Sequence, residues 1–510
     1  MRRMERSEGR TAAATAFRLA SLALMVVCSV LFLSSGMAPA ADKPERAPVN
    51  PEYLQWKAER DAAVAAGEST VKRTAEGRLL GDIPSPIDES YRKNHASGSS
   101  ASAKASSYPS SYDLRDYGRV TPVRDQGHDC ICSWAFGSFA SLESAMLPGT
   151  QTDFSESHLL DRHGFDYGPC SGGYMEMAVA YLARWGGPIP ENKYPYQYLK
   201  ASKSLPATSP SVVMKPYHVQ NIEAIAMTTD NVKSALMDSG AVSVSFYYDN
   251  SYYNSSSYGY YCDSDIAYNH TSAIIGWDDN YSKSNFTVEP SGDGAYLVRN
   301  SWGMDWGNNG YFWISYYDKS FRNTGFLFNK AESTANYNWI YQYDPLGVTT
   351  WAGYGSTTAW MANIFKGNPL GSIIKAVGFY AADDNTSYTL YIYNKVKTTV
   401  NSKGFPVVKP RSGTLVATRT GTATAGYHTI KLTEAAKVTA GKNFSVVIQL
   451  TTPDFNYPMA VETPFSGLSS HATAIQGQSY VSDDGISWGD LPKYDGWENT
   501  NVCLKAFGSK

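Results

Sequence analysis

The chain reads as an α+β domain over residues 108–330 followed by an all-β sandwich over residues 331–510. Apolar-rich helical stretches come first, at Trp134–Met146 and Tyr174–Trp185. Strand-like runs follow at Ala241–Tyr247, Ser272–Trp277, Ala295–Arg299 and Gly310–Tyr316. Beyond Lys330 the runs Ile374–Ala381, Ser387–Asn394, Thr414–Arg419, His428–Leu432 and Asn443–Leu450 alternate or gather β-branched and aromatic residues. Gly, Asn, Asp, Pro and Thr separate them with almost no helix between, the pattern of a sandwich. At 510 residues the chain is also too long for one core.

The first 40 residues set the compartment. Arg2, Arg3, Arg10 and Arg18 precede an apolar run from Leu19 to Leu33, and Ala38-Pro39-Ala40 supplies a small-residue cleavage site. Basic region, short apolar core and A-x-A site describe a secretory signal peptide over residues 1–40, the apolar run being short for a membrane anchor. No later stretch is long and apolar enough to cross a bilayer, so a chain secreted or held in the cell envelope, with no membrane span after signal removal, is expected. The net charge of −3 comes without a basic stripe, which argues against nucleic acid as a partner. The 37 tyrosines against 19 phenylalanines suit half-buried strands and surfaces facing protein or carbohydrate.

Residues 41–107 form a segment of their own. Asn50 to Gly67 is rich in Glu, Lys and Ala and reads as a helix. Gly77 to Tyr91 is expected to be extended, because Pro84 and Pro86 forbid regular helix. His95 to Ser107 reads as a Ser/Ala-rich linker. Two readings of the segment stay open, a removable pro-region or a permanent arm packed on the next domain. Once Cys28 leaves with the signal, Cys130, Cys132, Cys170, Cys262 and Cys503 remain, an odd set that leaves at least one thiol unpaired within the chain.

Several separated motifs then share one order. Tyr112-Asp113-Leu114-Arg115 precedes Val120-Thr121-Pro122-Val123-Arg124-Asp125-Gln126-Gly127; Trp134-Ala135-Phe136 opens a helix; Phe154-Ser155-Glu156 precedes Leu159-Leu160-Asp161. Cys170-Ser171-Gly172-Gly173 forms a turn, Asn269-His270 stands before an apolar strand, and Asn300-Ser301-Trp302-Gly303 is followed by Trp306-Gly307 and Asn309-Gly310-Tyr311. Together they resemble the papain family of cysteine peptidases. The resemblance implies a two-lobed catalytic domain, one lobe helical and one a β-barrel, that cuts polypeptide substrates without metal or cofactor. It implies that a thiolate attacks the peptide carbonyl while His270 holds it and protonates the leaving amine. Asn300 would orient the imidazole, and Trp302 would shield that hydrogen bond. Gln126 would donate to the oxyanion, and Gly172 and Gly173 would let substrate backbone lie alongside.

The nucleophile departs from that pattern. In the family a cysteine directly precedes the helix tryptophan and stands six residues after the oxyanion glutamine. Counting forward from Gln126 gives Cys132; counting back from Trp134 gives Ser133. One residue has been inserted. A loop absorbs an insertion more cheaply than a packed helix start, which favours Ser133 as the attacking residue. Cys130 then stands where the family has the cysteine that bridges to its Cys-x-Gly-Gly turn, so the resemblance implies a Cys130–Cys170 disulfide. The other register keeps Cys132 as nucleophile, but needs an irregular first turn because one residue rotates a helical side chain by about 100°.

Asn336 to Leu346 (NYNWIYQYDPL), Trp351 and the strands that follow are similar to the lectin-like domain found after bacterial papain-like domains, which implies attachment to surface glycan or simple packing on the peptidase. Asp383, Asp384 and Asn385 read as a solvated loop rather than a calcium site. Two functions compete: an exported peptidase with a Cys (or Ser)-His-Asn site, and an inactive papain fold that binds peptides or glycans.

Overall fold

The computed structural model describes residues 42–92, 108–198, 217–400 and 406–510. The expected signal peptide and the whole Ser/Ala-rich linker lie outside the described residues. The fold is papain-like with a C-terminal all-β domain.

The helix expected at Trp134–Met146 spans Ser133–Met146, and its first twelve residues are buried, Trp134 and Phe139 completely. Burial all round the helix explains its apolar circumference. It sits tight against the sheet because residue 137 is glycine. A Cβ there would stand 2.7 Å from Thr271 Cγ2 and 2.9 Å from Ser243 Oγ. The second helix is shorter than expected, Met175–Ala183, and the chain turns at Trp185 with φ 62°.

The strands His270–Asp278, Val242–Phe246 and Ala295–Arg299 are adjacent and antiparallel, with Phe246 opposite His270 and Arg299 opposite Ala273. Because neighbours run in opposite directions, the residue that opens the first strand and the residue just past the last meet at one edge. That is how His270 and Asn300, thirty positions apart, come together. In this part of the chain the strands Tyr217–Ala226 and Thr324–Ser333 and the helix Thr229–Asp238 were not anticipated. Residues 217–226 mix His, Gln, Asn and Glu among apolar residues and so lack a clean strand pattern, yet His218, Gln220 and Asn221 are buried within the sheet.

The strand Tyr217–Ala226 also joins the two halves of the chain. It pairs with Thr324–Ser333 on one side and with Gly426–Val438 on the other, where Gly426 opposes Glu223 and His428 opposes Asn221. Gly426 has φ 121°, and a Cβ would stand 2.1 Å from the Ile222 carbonyl oxygen, so only glycine permits the pairing. The sheet therefore continues from the papain-like part into the all-β part. A six-stranded sheet containing Thr358–Lys366, Thr386–Asn394, Thr414–Ala423 and Asn443–Thr451 faces it over an apolar core that includes Phe379, Leu390, Val446 and Ile448.

The segment before residue 93 is woven into both halves. Glu45–Arg46 pairs with Thr350–Gly353 in the all-β part, and the Arg46 guanidinium lies over the Trp497 ring at 4.1 Å. The helix Pro51–Ala66 is capped by Asn50 Oδ1, which accepts from the Glu52 N–H, and is closed by Gly67 in the left-handed conformation. Asp383 corrects the reading of a solvated loop. It is 2 % exposed, covered by the arm, with Arg92 Nε 3.5 Å from its carboxylate. Among the free cysteines, Cys132, Cys262 and Cys503 are all buried.

Candidate active site

The start of the Ser133–Met146 helix is held from two directions. Cys130 and Cys170 form a disulfide, and Ile131 pairs with Ser171, its N–H donating to the Cys170 carbonyl at 3.3 Å and its carbonyl accepting from Gly172 N–H at 3.1 Å. The chain is thus fixed from Cys130 onward, and the helix begins with Ser133.

Ser133 and Cys132 point to different places. Ser133 Oγ donates to Asp82 Oδ2 at 2.8 Å and accepts from the Thr271 N–H at 3.1 Å, one residue beyond His270. Cys132 Sγ lies 3.2 Å from the Tyr196 hydroxyl and 3.7 Å from the Cys130 carbonyl, completely buried among apolar residues. Burial pushes its thiol well above the ordinary range, the opposite of what a nucleophilic cysteine needs.

His270 Nε2 donates to Asn300 Oδ1 at 2.8 Å, which leaves Nδ1 of the neutral ring free to accept a proton. Asn300 Oδ1 also accepts from the Ser301 N–H at 2.8 Å and the Ser272 hydroxyl at 3.2 Å, so the amide cannot swing. The buried Trp302 ring lies 4.5 Å from the imidazole and covers this pair. Gln126 is fixed through Oε1, which accepts from Ser301 Oγ at 2.6 Å, and through Nε2, which donates to the Cys130 carbonyl at 3.0 Å. A Cβ on Gly173 would collide with the Trp134 ring at 2.5 Å, and one on Gly172 (φ 88°) would stand 2.6 Å from the Gly81 carbonyl oxygen. These two glycines therefore open a wall for an extended backbone.

That wall is already occupied. The arm crosses it in extended form: the N–H groups of Gly81 and Asp82 both donate to the Asn269 carbonyl at 3.0 Å, and the Ile83 N–H donates to the Gly173 carbonyl at 2.9 Å. Ile83 is completely buried. Arg78 anchors the approach, donating to the Trp302 carbonyl at 2.7 Å and pairing with Asp125 at 2.7 Å. Asp82, Arg78, Tyr196 and Thr271 were not singled out in the sequence. The prolines at 84 and 86 signalled an extended segment, but nothing local indicated that it lies in the cleft.

Burial raises the Asp82 carboxyl to about 7, against the hydroxyls of Thr271 and Ser133 and the Trp134 N–H, which favour its charged form. Burial lowers His270 to about 4, opposed by the Asn300 hydrogen bond. A raised carboxyl stabilises the docked arm fully below its free value and loses that contribution as pH rises through about 7. The lowered imidazole acts oppositely, its contribution being lost as pH falls through about 4. Asp82→Asn isolates the first effect, since the second is common to both proteins. The amides of residues 81–83 should exchange alike in the two proteins near about pH 3, below the free carboxyl value. Near about pH 9 the native arm should exchange roughly tenfold faster than the variant, read by hydrogen–deuterium exchange.

Residues 108–326 match the family model described as papain family cysteine protease, and residues 340–508 match the one described as lectin like domain. A cathepsin L-like peptidase of Aedes aegypti is 31% identical over 211 residues, and cathepsin K of Mus musculus 32% over 210; each alignment covers 40% of this chain and 58% of the relative. The chain thus spans little more than half the length of these curated relatives. A solved structure of the cysteine protease and lectin-like domains of Cwp84, a surface layer associated protein of Clostridium difficile, superposes with a TM-score of 0.73 at 26% identity. It covers 92% of this chain and 99% of that one. A second structure, of clostridial Cwp84 after propeptide cleavage, covers 79% of this chain and 100% of that one, with a TM-score of 0.68 at 27% identity.

Proposed function

We propose, from a chain that carries a papain-family domain followed by a lectin-like domain, that this protein hydrolyses peptide bonds in polypeptides, with Ser133 as nucleophile. The observation that carries this reading is the His270–Asn300 pair at 2.8 Å beneath Trp302, beside a helix whose first residue is Ser133. Ser133 Oγ attacks the carbonyl carbon while His270 Nδ1 takes its proton, because a hydroxyl does not ionise by itself and depends on a base. Gln126 and backbone N–H at the helix start stabilise the oxyanion. His270 returns the proton to the departing amine, and water then releases the acyl group by the same route in reverse.

The arm over residues 42–92 acts as a built-in competitor for the cleft, which is supported by its backbone hydrogen bonds to Asn269 and Gly173 and by Asp82 on the Ser133 hydroxyl. The lectin-like domain holds the protein to glycan at a cell surface, a reading supported by the resemblance to a surface layer associated protein. The full chain carrying Asp82→Ala is expected to cleave a denatured protein faster than the unmodified chain, followed by gel electrophoresis and mass mapping. If that variant does not cleave, and Ser133→Cys in the same background does not either, the domain holds peptides rather than cutting them.

A further inference from the structure

Beyond Ile83 the arm continues over a buried charged cluster that the catalytic residues do not use. The Ser85 N–H donates to the Tyr268 hydroxyl at 2.7 Å, and Ser85 Oγ donates to Glu176 Oε1 at 2.7 Å. Glu176 in turn holds one edge of the Arg322 guanidinium, through Nη1 at 3.1 Å and Nη2 at 2.6 Å. The other edge faces the arm: Nε donates to Glu89 Oε2 at 3.1 Å and Nη2 to Glu89 Oε1 at 2.8 Å. Side-chain exposures are 4 % for Arg322, 7 % for Glu176 and 13 % for Glu89. The Arg322 N–H donates to the Ser245 carbonyl at 2.9 Å, so its backbone is fixed as well.

Two of these three partners belong to the papain-like domain and one to the arm. If the arm is a competitor for the cleft, as proposed above, Glu89 occupies a place that a substrate would occupy. Glu176 keeps the guanidinium oriented with the Nε–Nη2 edge turned outward, and a planar fork fixed in that way is suited to a carboxylate, which it binds through two parallel hydrogen bonds. A cleft of about 400 Å³ opens beside this point, lined in part by Ser85, Glu89, Tyr268, Lys319 and Arg322.

We propose that Arg322 is a specificity-determining residue of the cleft, a receptor for a glutamate side chain of the polypeptide substrate in the place that Glu89 now fills. The substrate class is therefore an extended polypeptide with an acidic residue several positions from the bond that lies over Ser133. Lysine at position 322 would keep the charge that Glu176 requires and remove only the fork.

The test measures binding and not cleavage. A full chain carrying Ser133→Ala, Ile83→Arg and Glu89→Gln is mixed with a fluorescent peptide that has the sequence of residues 79–92, or with the same peptide bearing Gln in place of the glutamate equivalent to Glu89. The glutamate peptide should bind at least about tenfold more tightly by anisotropy, as expected where a buried carboxylate fork is made or lost, and adding Arg322→Lys should bring the two peptides level. Equal binding of both peptides to the host with Arg322 overturns the proposal, and so does binding of neither. Because this host cannot hydrolyse peptides through Ser133, a failure here leaves the peptidase reading standing. A failure to detect hydrolysis in the native chain likewise leaves this result intact.

Discussion

Ser133→Ala, in a chain whose arm has been loosened by Asp82→Ala, is expected to lower peptide hydrolysis by a factor on the order of 10³ or more. Cys132→Ala in the same background should change the rate by less than about twofold, since the Cys132 thiol faces Tyr196 rather than the cleft. Ser133→Cys makes the contrast sharper. It places a thiol at the first residue of a buried helix and next to the His270 strand, where the helix N-terminus and the imidazole both favour a thiolate. That variant should react with a thiol-directed epoxide, and the reaction should disappear when His270 is replaced by alanine. The native protein should not react, because Cys132, Cys262 and Cys503 are buried. Labelling of the native chain at Cys132, together with loss of hydrolysis on Cys132→Ala, would reverse the assignment of the nucleophile.

How much of this site could be read in the sequence depends on what kind of constraint each residue answers to. His270, Asn300, Gln126 and the two glycines were legible because each sits in a short motif whose spacing is set by local backbone. The antiparallel pairing that brings His270 to Asn300 then follows from strand order. The choice between Cys132 and Ser133 was not settled by counting, because an insertion has no address in a count. The proposal of Ser133 draws instead on the Ile131–Ser171 pairing and the disulfide, which fix the chain just before the helix. Asp82 and Glu89 were illegible for a different reason. A segment of Gly, Pro, Ser and acidic residues has no burial pattern of its own, and its place in the cleft is dictated by partners hundreds of positions away, such as Arg322. The strand Tyr217–Ala226 escaped notice because its polar residues satisfy one another inside the sheet, as when Asn221 Nδ2 donates to Glu223.

The largest effect on stability is expected from a cluster in the all-β part, remote from the cleft. Lys505 is 1 % exposed, and its Nζ donates to Asp344 Oδ2 at 2.5 Å and to the Asp344 carbonyl at 3.0 Å. Asp344 is completely buried, and desolvation raises its carboxyl while Lys505 pulls the other way. Glu462 is close behind, raised to about 8, first by burial and then by Asp344; its Oε1 accepts from the Leu346 N–H at 2.6 Å. Removing the cation that pairs with Asp344, as in Lys505→Met, strands a carboxylate in the core, at a cost of about 3–5 kcal/mol. The chain can escape only by protonating Asp344, which becomes cheaper as pH falls. The variant should therefore melt far below the native protein at neutral and alkaline pH and recover part of the difference in acid, measured by differential scanning calorimetry across pH. A deficit that does not depend on pH would mean that the methylene stem of Lys505, and not its charge, supports the core.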